Sequence, residues 1–234
     1  MEKIYCTCVW TVFTVSLIIA QKDLQFPGRC PSIDQVKASF NESKFAGRWY
    51  EISRFPNRHI IGECVIIDFL KHSARKKDFE VHFLFTNISC NWNTSVKFEL
   101  VKTPDPTLPS YDVYVNDKKE DIQMYILDTD YKSYSVIWGC FYNPRKQENT
   151  QRLSIISRNK VVNKGFCTKT FEILNTNGID RQYLKIVQQN DATCGRNSGS
   201  KAAKVKLVVL MAVAMFCRKL SLNTIPQPKT TNCV

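Results

Sequence analysis

The chain has 234 residues, 44% of them hydrophobic, and ten cysteines. That length allows one domain with extensions or two small domains, the apolar content is enough for a core, and so many cysteines argue against a reducing compartment. Of the formal charge of +12, the seven basic residues of 195–234 (Arg196, Lys201, Lys204, Lys206, Arg218, Lys219 and Lys229, with no acidic residue among them) leave only +5 for the body. No basic helix with interleaved aromatics occurs there, so no nucleic-acid partner is expected.

Taken in chain order, Met1–Lys3 is short and polar, Ile4–Ala20 carries no charge, and Gln21-Lys22-Asp23 is polar again. This pattern reads as a secretory signal peptide over 1–20 rather than a membrane helix, because the uncharged stretch is at the short end of what spans a bilayer. Cys6 and Cys8 would leave with it. Three acceptor sequons begin at Asn41, Asn87 and Asn93, which fits a secreted glycoprotein.

Residues 44–56, KFAGRWYEISRFP, open the body with a turn signal, then a glycine and a tryptophan at the threshold of an alternating stretch. Strands are predicted over Gly47–Phe55, Glu63–Lys71, Phe79–Asn87, Ser95–Thr103, Tyr111–Asn116, Asp121–Asp128, Tyr134–Tyr142 and Arg152–Arg158. Turn material separates them, as in KHSARKKD, PDPTLPS, NDKK and NPRKQENT. One helix follows, with Phe166, Thr170, Ile173 and Leu174 at helical spacing and Asn177-Gly178 as its stop. A last short strand is predicted over Tyr183–Val187. Eight sequential strands with short connections imply an all-β, antiparallel up-and-down barrel with one C-terminal helix packed outside. A sandwich is the competing arrangement, and the lone helix after the eighth strand favours the barrel.

At this point the chain resembles the lipocalins. Gly47-Arg48-Trp49 is similar to their first signature, ILDTDYKSYSVIWGC (126–140) to their second, with Thr129-Asp130-Tyr131 in the turn, and Arg158 in LSIISRN to their third. The likeness is strongest to the apolipoprotein D, Lazarillo and bilin-binding group and covers roughly residues 28–196. The resemblance implies that Trp49 closes the bottom of the barrel with Arg158 across its face, so that Gly47, Trp49, Thr129, Asp130, Tyr131 and Arg158 are structural. It also implies the disulfides Cys30–Cys140 and Cys64–Cys194; the residues alone allow many pairings. Cys90 and Cys167 are extra and are read as two free or separately engaged thiols.

With Trp49 facing inward, period two places Glu51, Ser53 and Phe55 inward too. The same alternation groups Val65, Ile67 and Phe69; Phe79, Val81, Phe83 and Phe85; Val113 and Val115; and Arg152, Ser154 and Ile156. The expected ligand set is Phe45, Glu51, Phe69, Val81, Phe83, Val113, Val115, Ser154 and Ile156, of which the resemblance favours Phe45, Phe69, Phe83 and Val115. The expected function is extracellular carriage of a small hydrophobic molecule of the bilin, sterol, fatty-acid or retinoid class. A bound chromophore or lipid is compatible with this reading, and no dedicated cofactor is called for. An enzyme with a cysteine nucleophile inside the barrel is the rival raised by the family, but no cysteine falls on an inward strand face, so no enzyme is expected. His59, His72 and His82 lack paired spacing, so no metal is expected. In 197–234, small residues, the spacer KAAKVK and the apolar Leu207–Cys217 resemble a glycolipid-anchor signal, but polar residues follow. Attachment to the outer membrane face, with an adhesion or signalling role, is therefore the alternative.

Overall fold

Eight strands joined by short turns have unpaired edges unless the last returns to the first, and here it does. In the computed structural model, which describes residues 22–33, 36–37, 39–71, 78–87, 92–105 and 107–194, the barrel strands are β2 (Gly47–Arg54), β3 (Glu63–Lys71), β4 (Phe79–Asn87), β5 (Trp92–Lys102), β6 (Ser110–Val115), β7 (Lys118–Thr129), β8 (Tyr134–Asn143) and β9 (Glu148–Ser157). β1 (Leu24–Pro27) and α1 (Glu42–Phe45) precede them; α2 (Lys164–Thr176), β10 (Lys185–Ile186) and α3 (Asp191–Cys194) follow. Each barrel strand pairs antiparallel with its chain neighbour. β9 then pairs with β2, with Glu51 opposite Ile156, and closes the cylinder. This leaves the barrel without a free edge. Asn116 and Asp117, with φ of 50° and 61°, form the two-residue turn between β6 and β7; positive φ at both positions suits the twist of the flanking strands.

β1, α1 and α3 are additions to the expected elements, and the expected strand at 183–187 forms only over Lys185–Ile186 as β10, after a 3-10 turn (Arg181–Tyr183). β1 and β10 are too short to carry a periodic signal. Each adds to an edge that a barrel neighbour leaves open: β1 pairs with Glu148–Gln151 of β9, beyond the pairing of β9 with β2, and β10 pairs with Ser53 and Arg54 of β2, beyond the pairing of β2 with β3.

The apolar residues divide into two cores. One fills the barrel and includes Trp49, Ile67, Phe69, Phe79 and Val81. The other lies between the outer face of the sheet and α2, where Ile173 and Leu174 meet Leu127, Val136, Trp138, Leu153 and Ile155. α2 starts where the side chain of Asn163 accepts from the backbone of Phe166 at 2.9 Å, and it ends before Gly178, whose φ is +62°.

Phe55 is a correction to the alternation. The register of β2 against β9 shifts between Glu51 and Ser53. An extra residue at a bulge reverses the phase of everything beyond it. Phe55 therefore belongs to the outer core, and the fully buried Arg54 reaches back to Glu51.

Disulfides join Cys30 to Cys140 and Cys64 to Cys194, tying the N-terminal segment to β8 and α3 to β3. Cys167 is also disulfide-bonded, so it is not a free thiol; the other four described cysteines pair with one another, and its partner lies outside the described residues. The signal peptide at 1–20, the tail at 197–234, and Cys6, Cys8, His72, Cys90, Cys217 and Cys233 also lie outside the described residues.

Candidate functional site

The inward faces of the strands leave a cavity of about 100 Å³. Its wall is mostly apolar. Phe69, Val81, Phe83 and Val113 line it, together with the polar Glu51 and Ser154. Three other residues of the expected ligand set sit elsewhere. Phe45 lies at the barrel floor, with its ring 5.2 Å from Trp49 and 4.8 Å from Phe69. Ile156 is fully buried in the barrel core, and Val115, at the end of β6, packs against that core without lining the free space.

Glu51 is the polar centre of the wall. It is only 2% exposed. Ser154 Oγ donates to its Oε1 at 2.6 Å, and Arg54 Nη1 donates to its Oε2 at 2.8 Å. Arg54 also donates through Nη2 to the carbonyl of Gly62 at 2.7 Å, while its Nε has no partner among the described residues. Burial pushes the Glu51 carboxyl above its ordinary pKa, and the Arg54 charge and the two hydrogen bonds only partly oppose this.

A charged network rims the mouth. Arg152 donates through Nη2 to Asp23 at 3.0 Å and to Glu120 at 3.1 Å, and Arg58 Nη2 reaches Glu120 at 2.7 Å. Burial raises the pKa of Asp23 and Glu120, but hydrogen bonding and charge from Arg152 and Arg58 outweigh it and hold both below the ordinary carboxylate range. His59 projects from the β2–β3 loop over the ring of Phe98, with centroids 5.5 Å apart. Burial, helped by the charges of Arg152 and Arg58, holds its imidazole below the usual value against the pull of Glu120 and Asp23.

The opposite end is closed by backbone and aromatic contacts. The Arg158 guanidinium lies 3.8 Å from the centroid of Trp49. Its Nη1 donates to the carbonyl of Arg48 at 2.7 Å, its Nη2 to those of Lys44, Phe45 and Ala46 at 3.2, 3.1 and 3.0 Å, and its Nε to that of Tyr131 at 3.2 Å. It thus satisfies the carbonyls that α1 leaves open at its end. Gly47 has φ +99°, and a Cβ there would stand 3.3 Å from Arg158 Nη1. Both facts favour glycine before the tryptophan. Asp130 Oδ1 accepts from the backbone of Lys132, Ser133 and Tyr134, and Thr129 Oγ1 bonds both the backbone of Tyr131 and the carbonyl of Tyr134. The turn is built by side chains, and Tyr131 adopts φ +65° within it.

Of the sequon asparagines, Asn41 is exposed and caps α1, with its side chain accepting from Lys44 N at 3.0 Å. Asn93 is exposed on β5, where its Oδ1 accepts from Thr86. Asn87 ends β4. His82 lies outside the barrel against Glu80, and no group of three metal-ligating side chains occurs among the described residues.

Sequence reasoning missed two sets of lining residues. Phe98 and Leu100 on β5, and Ile122 and Met124 on β7, also line the cavity. Their signal was available: each pair is spaced by two, with Glu99 or Gln123 between. Asn57, His59 and Ile60 line it from the loop, where no periodicity exists. There the side chain of Asn57 accepts from the backbone of His59 and Ile60 and turns the loop over the mouth.

No family model matches the chain. It is 28% identical to Insecticyanin-B of Manduca sexta over 159 residues, covering 64% of this chain and 74% of that protein. It is 25% identical to Apolipoprotein D of Cavia porcellus over 176 residues, covering 69% and 83%. The solved structure of insecticyanin from the tobacco hornworm superposes with a TM-score of 0.62 at 26% identity, covering 74% of this chain and 92% of that one. Lobster apocrustacyanin A1 also gives 0.62, at 19% identity over 72% and 92%, a likeness of fold alone.

Proposed function

We propose that this chain, whose homologues insecticyanin and apolipoprotein D are lipocalins, is an extracellular carrier of a small hydrophobic molecule held inside the barrel. Binding of small hydrophobic ligands is the common property of those homologues. The observation that carries the reading here is the cavity itself, with apolar walls from seven strands and a few polar groups at defined places. Burying apolar ligand surface stabilises by roughly 25 cal/mol per Å², less the ordering costs. The disulfides support an oxidising compartment.

The test is tryptophan quenching by a panel of bilins, sterols, retinoids and fatty acids. Saturable binding is expected, and Phe83→Asp, which puts a carboxylate into the apolar wall, should weaken it strongly. His82→Gln on the outer face should leave it unchanged. If no compound saturates, or if Phe83→Asp binds like the parent, the carrier reading fails.

A further inference from the structure

We infer that Glu51 selects for ligands carrying a neutral hydrogen-bond donor, a hydroxyl above all, and rejects the matching carboxylates and esters. This inference rests on the carrier reading and concerns the polar end of the ligand. The polar atoms that Glu51 and Ser154 turn to the cavity are all acceptors. Ser154 spends its only hydroxyl hydrogen on Glu51 Oε1, so its own oxygen retains only lone pairs. Each carboxylate oxygen of Glu51 receives one side-chain donor, Ser154 or Arg54, and keeps room for another.

Arg54 stands behind the wall. It is fully buried, does not line the cavity, and directs its guanidinium at Glu51 and the carbonyl of Gly62. It therefore balances the carboxylate without offering a donor to the ligand. That balance also makes a cationic ligand the poorer fit, because a second buried cation would have no charge of its own to meet. A hydroxyl gives its hydrogen to Glu51 and loses nothing. A carboxylate or ester oxygen at the same place meets only lone pairs, and a buried acceptor without a donor is costly.

The competing anchor is the mouth, where Arg152 and His59 line the cavity and could hold an anion. Arg152 is already matched by Asp23 and Glu120, so an anion there must displace a carboxylate.

The experiment compares ligands that differ only at the head group, on the full chain in mildly alkaline buffer. Hexadecanol is set against hexadecanoic acid, its methyl ester and hexadecylamine, and retinol against retinoic acid. The alcohols are expected to bind at least about tenfold more tightly than their partners, the loss that follows from one unpaired buried polar group. Glu51→Gln presents an N–H to the cavity and should reduce or invert that ratio. Ser154→Ala should preserve it, because Glu51 remains. Acids equal to or tighter than alcohols in the unsubstituted protein would overturn the inference and place the anchor at the mouth. Binding without head-group preference would overturn it while leaving the carrier reading intact. No saturable binding by any compound would overturn both. Because the ratio is read first on the unsubstituted protein, the test holds even if Glu51→Gln does not fold.

Discussion

Replacing Arg158 by alanine tests the closed end of the barrel. The guanidinium makes one cation–π contact with Trp49 and reaches five backbone carbonyls. Stacking on a buried indole contributes about 1–2 kcal/mol. The bonds to Lys44 and Arg48 are exposed, so water replaces them at little cost. Those to Phe45, Ala46 and Tyr131 are partly buried; each contributes about 1 kcal/mol net. Because three carbonyls share the two hydrogens of Nη2, the sum is discounted, and Arg158→Ala should destabilise by about 3–4 kcal/mol. For a domain of this size that lowers Tm by about 10 °C. Arg158→Lys keeps the charge but not the planar fork, and should lose about half as much. Urea titration followed by tryptophan emission measures both. If Arg158→Ala unfolds within about 1 kcal/mol of the parent, or Arg158→Lys matches the parent, the closure is not held by this side chain.

Three further outcomes are expected. Trp49→Ala deletes a fully buried indole that also donates to the carbonyl of Phe45 at 2.9 Å; it should cost about 3–5 kcal/mol, more than Arg158→Ala, and the same titration ranks the two. Non-reducing peptide mapping should recover Cys30–Cys140 and Cys64–Cys194, with sequence separations of 110 and 130; opening either by paired serine substitution should cost up to about 4–5 kcal/mol on the chain-entropy model, and exchanged partners would refute the pairing. Acidification should weaken the mouth in two steps. His59 is held below its ordinary pKa of about 6.5, so the unfolded chain takes up its proton first and stability falls as pH drops from that value towards the folded one. Asp23 and Glu120 are also depressed, and their contribution is lost at lower pH as they protonate. Glu51, raised by burial, acts in the opposite sense, contributing most in acid and losing that contribution as pH rises through its folded value. NMR titration of His59 at or above about 6.5 would refute the first step.

Much of the architecture was legible in the residues. Strand alternation, two-residue and proline-rich turns, and the helix stop at Asn177-Gly178 are local signals, and local steric rules fix them wherever the strands finally lie. Ile67, Phe69, Val81 and Phe83 could be assigned to one interior because a strand that keeps its phase keeps its faces. Where the phase breaks, local reading fails. The bulge in β2 sends Phe55 outward and lets Arg54 meet Glu51, since its position depends on how β9 closes against β2, more than a hundred residues away. The loop residues Asn57, His59 and Ile60, the mouth network from Asp23 to Arg152, and the separation of Phe45 from the free space likewise carry no periodic signal. The amino-acid sequence determined which faces are apolar and where the chain turns. Only barrel closure decided which polar groups share the cavity, because that depends on contacts between residues far apart in the chain.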